Sequence, residues 1–193
     1  MEKKAEMGMG TLIIFIAMIL VAAVAASVLI NTTGTLQNKA LATGKATTQE
    51  VGTSLSAVEL YGEDGTNQSV NFMYMTIKLA SGSDEIRFSD TLLSMNLDNT
   101  SADYEYASAY DCDTSTSLVV GGDFGIKYQI TGTNNKSGYL TKGDVVQVCF
   151  VAPREVLEGE SIKVSLIPMV GSPLVVDTAT PDLMVDKRIS LYP

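Results

Sequence analysis

Two cysteines, four glycosylation tripeptides and one acidic turn are the residues of this chain whose chemistry could go beyond packing. Cys112 and Cys149 are its only cysteines, and Cys149 lies in the apolar run Val145-Val146-Gln147-Val148-Cys149-Phe150-Val151. Outside the cell such a pair would close a loop worth roughly 4 kcal/mol by the chain-entropy argument. The competing reading is two free thiols, one of them filling a core. We expect the disulfide. Asn-x-Ser/Thr occurs at Asn31, Asn67, Asn99 and Asn135, each an acceptor for an N-linked glycan where it is exposed. Asp111, Asp113 and Asp123 could offer oxygens to Ca²⁺ or Mg²⁺. Their spacing is not that of an EF-hand, and acidic turns are ordinarily just solvated, so no metal and no cofactor is expected.

Catalysis is not expected either. The chain has no His, which excludes Ser-His and Cys-His nucleophile pairs and the commonest general base near pH 7. It carries no Gly-rich phosphate loop and no HExxH or CxxC element. From Val58 onward there are 19 acidic and 9 basic side chains, so this part carries about −10. Without a basic patch to meet phosphates, a nucleic-acid partner is not expected. An acidic surface instead keeps a domain soluble and discourages clumping.

The element that must position these groups begins at the N-terminus. Lys3 and Lys4 precede a stretch without a single charge from Met7 to Gln37. Thr11 to Ile30 is apolar on every side of a helix, at about 30 Å the thickness of a hydrocarbon core. It must therefore be buried all round, in lipid or in protein. Three readings fit. It is a secretory signal cut near Ala26, a plain membrane anchor, or a pilin-like segment cut after Ala5 and kept as an assembly core. The run exceeds the roughly 7–15 residues of a secretory signal's apolar region. Small residues at helical spacing, Ala22 and Ala26 with Gly8 and Gly10, would let backbones approach closely.

Lys3-Lys4-Ala5, followed by Glu6-Met7-Gly8-Met9-Gly10-Thr11-Leu12-Ile13-Ile14-Phe15-Ile16-Ala17-Met18-Ile19-Leu20-Val21-Ala22-Ala23-Val24-Ala25-Ala26, resembles the start of the archaeal flagellins (archaellins), within the type IV pilin-like superfamily. The likeness covers the leader and about twenty residues of helix; the remainder is compatible in kind without a matched motif. It implies that a prepilin-type peptidase cuts between Ala5 and Glu6, although the family usually has Gly before the cut and Ala after it. It implies transient membrane insertion, then packing through Gly8, Gly10, Phe15, Ala22 and Ala26 into a filament core. The implied partners are other copies of the chain, or a second archaellin, and a membrane motor and anchor complex. Bacterial pilins usually carry Phe first and Glu fifth in the mature chain, where Glu6 and Gly10 stand here.

Leu41, Gly44, Thr48, Val51, Leu55 and Val58 recur at helical spacing, so the helix is expected to continue, over 6–57. A helix of some fifty residues spans about 75 Å and cannot be buried by its own small domain; other copies must cover it. From Leu60 the pattern turns period-two. Strands are expected at Ser69–Leu79, Thr91–Leu97, Asp103–Tyr110, Ser117–Val120, Gly125–Thr131, Val145–Val151, Ser161–Met169, Pro173–Val176 and Val185–Leu191. The expected organisation is a leader, 1–5; a core helix, 6–57; and an outer antiparallel immunoglobulin-like sandwich or barrel, 58–193, an α+β fold. Glycans are expected at Asn67, Asn99 and Asn135 in outer turns, and not at Asn31, where one would obstruct helix packing. The reading that results is an extracellular filament subunit for swimming. Its rivals are a pilin-type adhesin and a secreted or anchored β-sandwich binding protein.

Overall fold

Nothing between Glu2 and Gly52 forces a helix to stop: there is no proline, and Ala, Leu, Met and Ile dominate. The computed structural model describes residues 2–63, 68–110, 112 and 122–193, with residues 2–6 as backbone alone. It divides into two units, Met1–Thr47 and Thr48–Pro193. Helix α1, Glu2–Gly52, supplies all of the first and the opening turn of the second. Thr11, Thr32, Thr33 and Thr35 turn their hydroxyls onto carbonyls of the helix itself. Thr11 Oγ1 donates to Gly8 O at 3.0 Å and Thr33 Oγ1 to Leu29 O at 2.7 Å, so neither hydroxyl obliges the helix to face water.

The helix ends at Gly52 and not at the expected 57. Leu55 and Val58, taken as the end of a helical stripe, belong to strand β1, Leu55–Glu63. Polar contacts seize the chain as it leaves α1. The buried Ser83 hydroxyl accepts from Ser54 N–H and donates to Ser54 O, both at 2.9 Å. Ser172 N–H donates to Thr53 O at 2.9 Å. These bonds replace the i→i+4 partners that a continuing helix would have supplied.

Among the described residues, the second unit is built from β1 and ten further strands. They are β2 Ser69–Leu79, β3 Ile86–Arg87, β4 Thr91–Leu97, β5 Ser101–Tyr106, β6 Asp123–Ile130, β7 Tyr139–Leu140, β8 Val145–Leu157, β9 Ser161–Pro168, β10 Leu174–Ala179 and β11 Arg188–Tyr192. Nine of them form one sheet in the order β10-β9-β4-β5-β6-β8-β2-β1-β11, while β3 and β7 make a separate ribbon. The sheet curls until its edge strands meet, Thr178 Oγ1 on β10 donating to Leu191 O on β11 at 2.5 Å. That removes much of the exposed edge a sheet of this size would carry. The fold is α+β, as expected.

Period-two alternation decides which side chains enter the core. On β2, Met73, Met75 and Ile77 are fully buried in the main cluster with Val146, Val148 and Phe150 of β8. Tyr74 and Cys149, one position out of phase, join Tyr61 and Cys112 in a second cluster. Leu93, Met95, Ile162, Val164 and Leu166 complete the main core from the other half of the sheet. Tyr104, fully buried there, donates its hydroxyl to Val151 O at 2.6 Å.

Besides β1 and the β3–β7 ribbon, two further features depart from the expected pattern. Strand β8 runs through Pro153 to Leu157, well past Val151. The register between β2 and β8 shifts between Val70 and Phe72, and a bulge is where a strand tolerates the missing N–H of proline. The pair β5–β6 is parallel, Glu105 opposite Asp123, in an otherwise antiparallel sheet. Parallel neighbours need a long crossover between them, and the segment after Tyr106 provides it. The expected strand Ser117–Val120 lies outside the described residues.

Candidate assembly surface

Every described residue of α1 from Met7 to Gly52 is exposed in the single chain. Leu12, Phe15 and Met18 are 59%, 63% and 71% exposed, and this part of the helix could cross a membrane by length and composition. Ala17, Ala22 and Ala25, flanked by Ile14, Met18 and Val21, leave a shallow apolar depression on its surface. Ala26 lies on the same exposed helix. Around Gly8, Gly10, Gly34 and Gly44 an added Cβ would meet nothing within 4 Å. Each costs a helix roughly 1 kcal/mol relative to alanine, and among the described residues no side-chain packing excludes a Cβ at any of them. Ala5 and Glu6 are helical in backbone; their side chains fall outside the description.

Cys112 and Cys149 are joined in a disulfide, with Cα atoms 5.6 Å apart. The bond fastens the β5–β6 crossover to the sheet face formed by β1, β2, β8 and β6. Tyr61 and Tyr74 stack beside it at 5.0 Å between ring centroids, and Phe72 packs against the cluster. Gln147 Nε2 donates to Tyr61 Oη at 2.5 Å. Burial raises the Tyr61 hydroxyl's pKa despite the Arg188 charge nearby. The Arg188 guanidinium lies 3.6 Å from the centre of the Tyr61 ring and pairs with Glu59. Gly125 is obligatory here: a Cβ would stand 2.8 Å from Tyr110 O and 3.2 Å from Cys149 Sγ. Sequence reasoning found the two cysteines and missed the aromatic pair beside them, because Tyr61 and Tyr74 lie 38 or more residues from either cysteine and meet them only in the folded sheet.

Two carboxylates lock turns. Buried Asp144 accepts from Gly132 N–H at 2.7 Å, Thr141 N–H at 2.9 Å and Thr141 Oγ1 at 2.8 Å. Burial alone would raise its pKa, but these hydrogen bonds together outweigh it and hold the carboxyl below its ordinary value. Glu160 takes both arms of the Arg154 guanidinium and the Leu157 N–H. The arginine bond, chiefly, lowers its pKa.

Asn99 is exposed in the turn between β4 and β5. Asn135 is exposed between β6 and β7. Asn31 is exposed on α1, and Asn67 lies outside the described residues. Asp123 opens β6, whereas Asp111 and Asp113 also lie outside the described residues.

A family profile described as archaeal-type flagellin matches residues 5–178. Over 93% of its length the chain is 38% identical to Flagellin B2 of Methanocaldococcus jannaschii, covering 90% of that protein. Its fold is similar to the archaeal flagellum of Methanospirillum hungatei strain JF1, at a TM-score of 0.71 and 17% identity, over 96% of this chain and 99% of that one. It is also similar to flagellin FlaB1 of Methanocaldococcus jannaschii, at a TM-score of 0.61 and 17% identity, over 72% of this chain and 96% of that one.

Proposed function

The chain belongs to the archaeal-type flagellin family, and from that premise we propose that it is a structural subunit of an archaellum filament used for swimming. The observation that carries this reading is an apolar helix exposed at every described position from Met7 to Gly52, in a chain that also holds a disulfide-tied β-domain. Burying a side chain of the size of Leu, Ile or Phe is worth roughly 1.5–3 kcal/mol. The segment from Leu12 to Ile30 carries nine Leu, Ile and Phe side chains, each at least half exposed in the single chain. Neighbouring helices of the same kind cover them all round, and lipid covers them before assembly. Glycines at 8 and 10, where an added Cβ would meet nothing within 4 Å, permit close helix approach in such a bundle.

Residues 1–5 are the leader, removed by a prepilin-type peptidase between Ala5 and Glu6. Gly8, Gly10, Phe15, Ala22 and Ala26 pack the filament core, and the domain that begins with β1 tiles the outside of the cell-surface filament. A motor at the membrane turns the filament. Asn99 and Asn135 carry glycans on exposed turns, and Asn67 is a third acceptor. The work of the subunit is mechanical. Expressed in an archaeal cell deprived of its own filament subunits, the chain should restore filaments that shear from the surface and should restore swimming. Surface filaments without swimming would leave a pilin-type adhesin instead.

A further inference from the structure

Outside the α1 sequence, exposed apolar side chains gather at opposite ends of strand β9. Near its C-terminal end, Leu92 and Ile167 are direct cross-strand partners and both are exposed. Val175, opposite Ser165, lies on the same outer face of the sheet. Met169, two residues beyond Ile167, is 79% exposed, with its N–H fixed on Asp90 O. Inward neighbours Leu93, Leu166 and Val176 are buried, so the sheet is apolar on both faces here. At the N-terminal end of β9, Leu157 closes β8, while Leu183 and Val185 are 65% and 67% exposed. These two loops are tied together. Gly159 N–H donates to Pro181 O, Thr180 Oγ1 to Leu157 O, and Met184 N–H to the Glu158 carboxylate.

The eight residues of β9 set the two patches roughly 25 Å apart. Each is of the few-hundred-Å² size at which exposed apolar surface on a soluble domain marks an interaction site. Together they fall short of the roughly 1,200 Å² that a stable complex buries, so they suit a contact that another interface already enforces. A subunit held in a filament by its helix is in that position. Two different patches at opposite ends of one domain give a heterologous contact, which repeats into an open helix wherever the rotation between copies does not close a ring. We propose that the patch of Leu92, Ile167, Met169 and Val175 on one copy docks on the patch of Leu157, Leu183 and Val185 on the next. This rests on the filament reading and adds to it a specific contact between outer domains.

The test places Met169→Cys and Leu183→Cys in one full-length chain. It is expressed in cells lacking their own filament subunits and oxidised on the cell surface with copper phenanthroline. On a non-reducing gel, sheared filaments should give a ladder of covalent oligomers, and neither single variant should give one. Filaments of the paired variant without a ladder would overturn the docking. So would cross-linking of Met169→Cys to Leu41→Cys, which would put a neighbour's helix on the patch. Both sites are exposed, so the fold tolerates charge there. Met169→Glu and Leu183→Lys should each lower the temperature at which filaments dissociate, and the double variant should recover most of that loss. Additive losses would overturn the contact. No filaments from the unsubstituted chain would overturn the subunit reading and this docking with it, whereas filaments without the ladder would overturn the docking alone.

Discussion

Replacing both cysteines, Cys112→Ala with Cys149→Ala, isolates the contribution of the crossover's fastening. The disulfide spans a sequence separation of 37, for which the loop-closure expression gives about 4 kcal/mol of unfolded-state entropy at 25 °C. Alanine leaves no unsatisfied hydroxyl at either buried site. The sheet strands keep their own ladder bonds, so the variant should fold with unchanged secondary structure. For a domain of this size 1 kcal/mol shifts the midpoint by roughly 2–4 °C, which puts the expected loss at about 8–16 °C. The aromatic pair should loosen as well, since Tyr61 and Tyr74 stack against the pinned segment. The assay is thermal unfolding of the full chain in detergent micelles, followed by near-ultraviolet circular dichroism for the tyrosines and far-ultraviolet for the sheet. A midpoint shift below about 3 °C with unchanged tyrosine signals would refute the argument that this bond holds the crossover to the sheet.

Gly125→Ala should destabilise the oxidised domain by about 2–3 kcal/mol, since its Cβ would collide with Tyr110 O; a thermal midpoint within 2 °C of the parent would contradict this. Asp144 and Glu160 both have lowered pKa values. Their contribution is therefore complete above the ordinary carboxylate range, near pH 4, and is lost as pH falls through the lowered values. Asp144→Asn should cost most at pH 7 and progressively less toward pH 2, read from thermal midpoints across that range; an equal loss at both ends would refute it. Ala22→Lys should abolish filaments while leaving the β-domain folded, because it places a charge in a waterless seam at a cost of roughly 2.5–3.5 kcal/mol or more per subunit. Electron microscopy showing normal filaments from that variant would refute the core assignment.

Strong local periodicity made the frame of this fold legible. Ser69–Leu79 and Thr91–Leu97 coincide with β2 and β4: β4 alternates without a break, and β2 is long and apolar enough to be read through its register shift after Val70. The apolar helix announced itself by length alone. What escaped were elements decided by tertiary contacts. Leu55 and Val58 continue a helical spacing, yet the buried Ser83 hydroxyl and Ser172 N–H hold the chain at Thr53 and Ser54, where β1 begins. Pro153 looks like the end of a strand, and only pairing with β2 shows the bulge that admits it. The two-residue ribbon of β3 and β7, which brings Ile86 opposite Leu140, is too short to carry any period. The cysteine pair could be read from count and context. The neighbours that make Gly125 obligatory could not, since Tyr110 and Cys149 meet it only after the sheet has closed.

The most direct test of the central claim is the N-terminus of the native protein in filaments sheared from the cell surface, determined by mass spectrometry. A mature chain beginning at Glu6, with the whole apolar segment from Met7 to Ile30 retained, is the predicted result. A chain beginning near Ser27 would contradict the account, because the helix would then be a discarded secretion signal and the filament would have no apolar core.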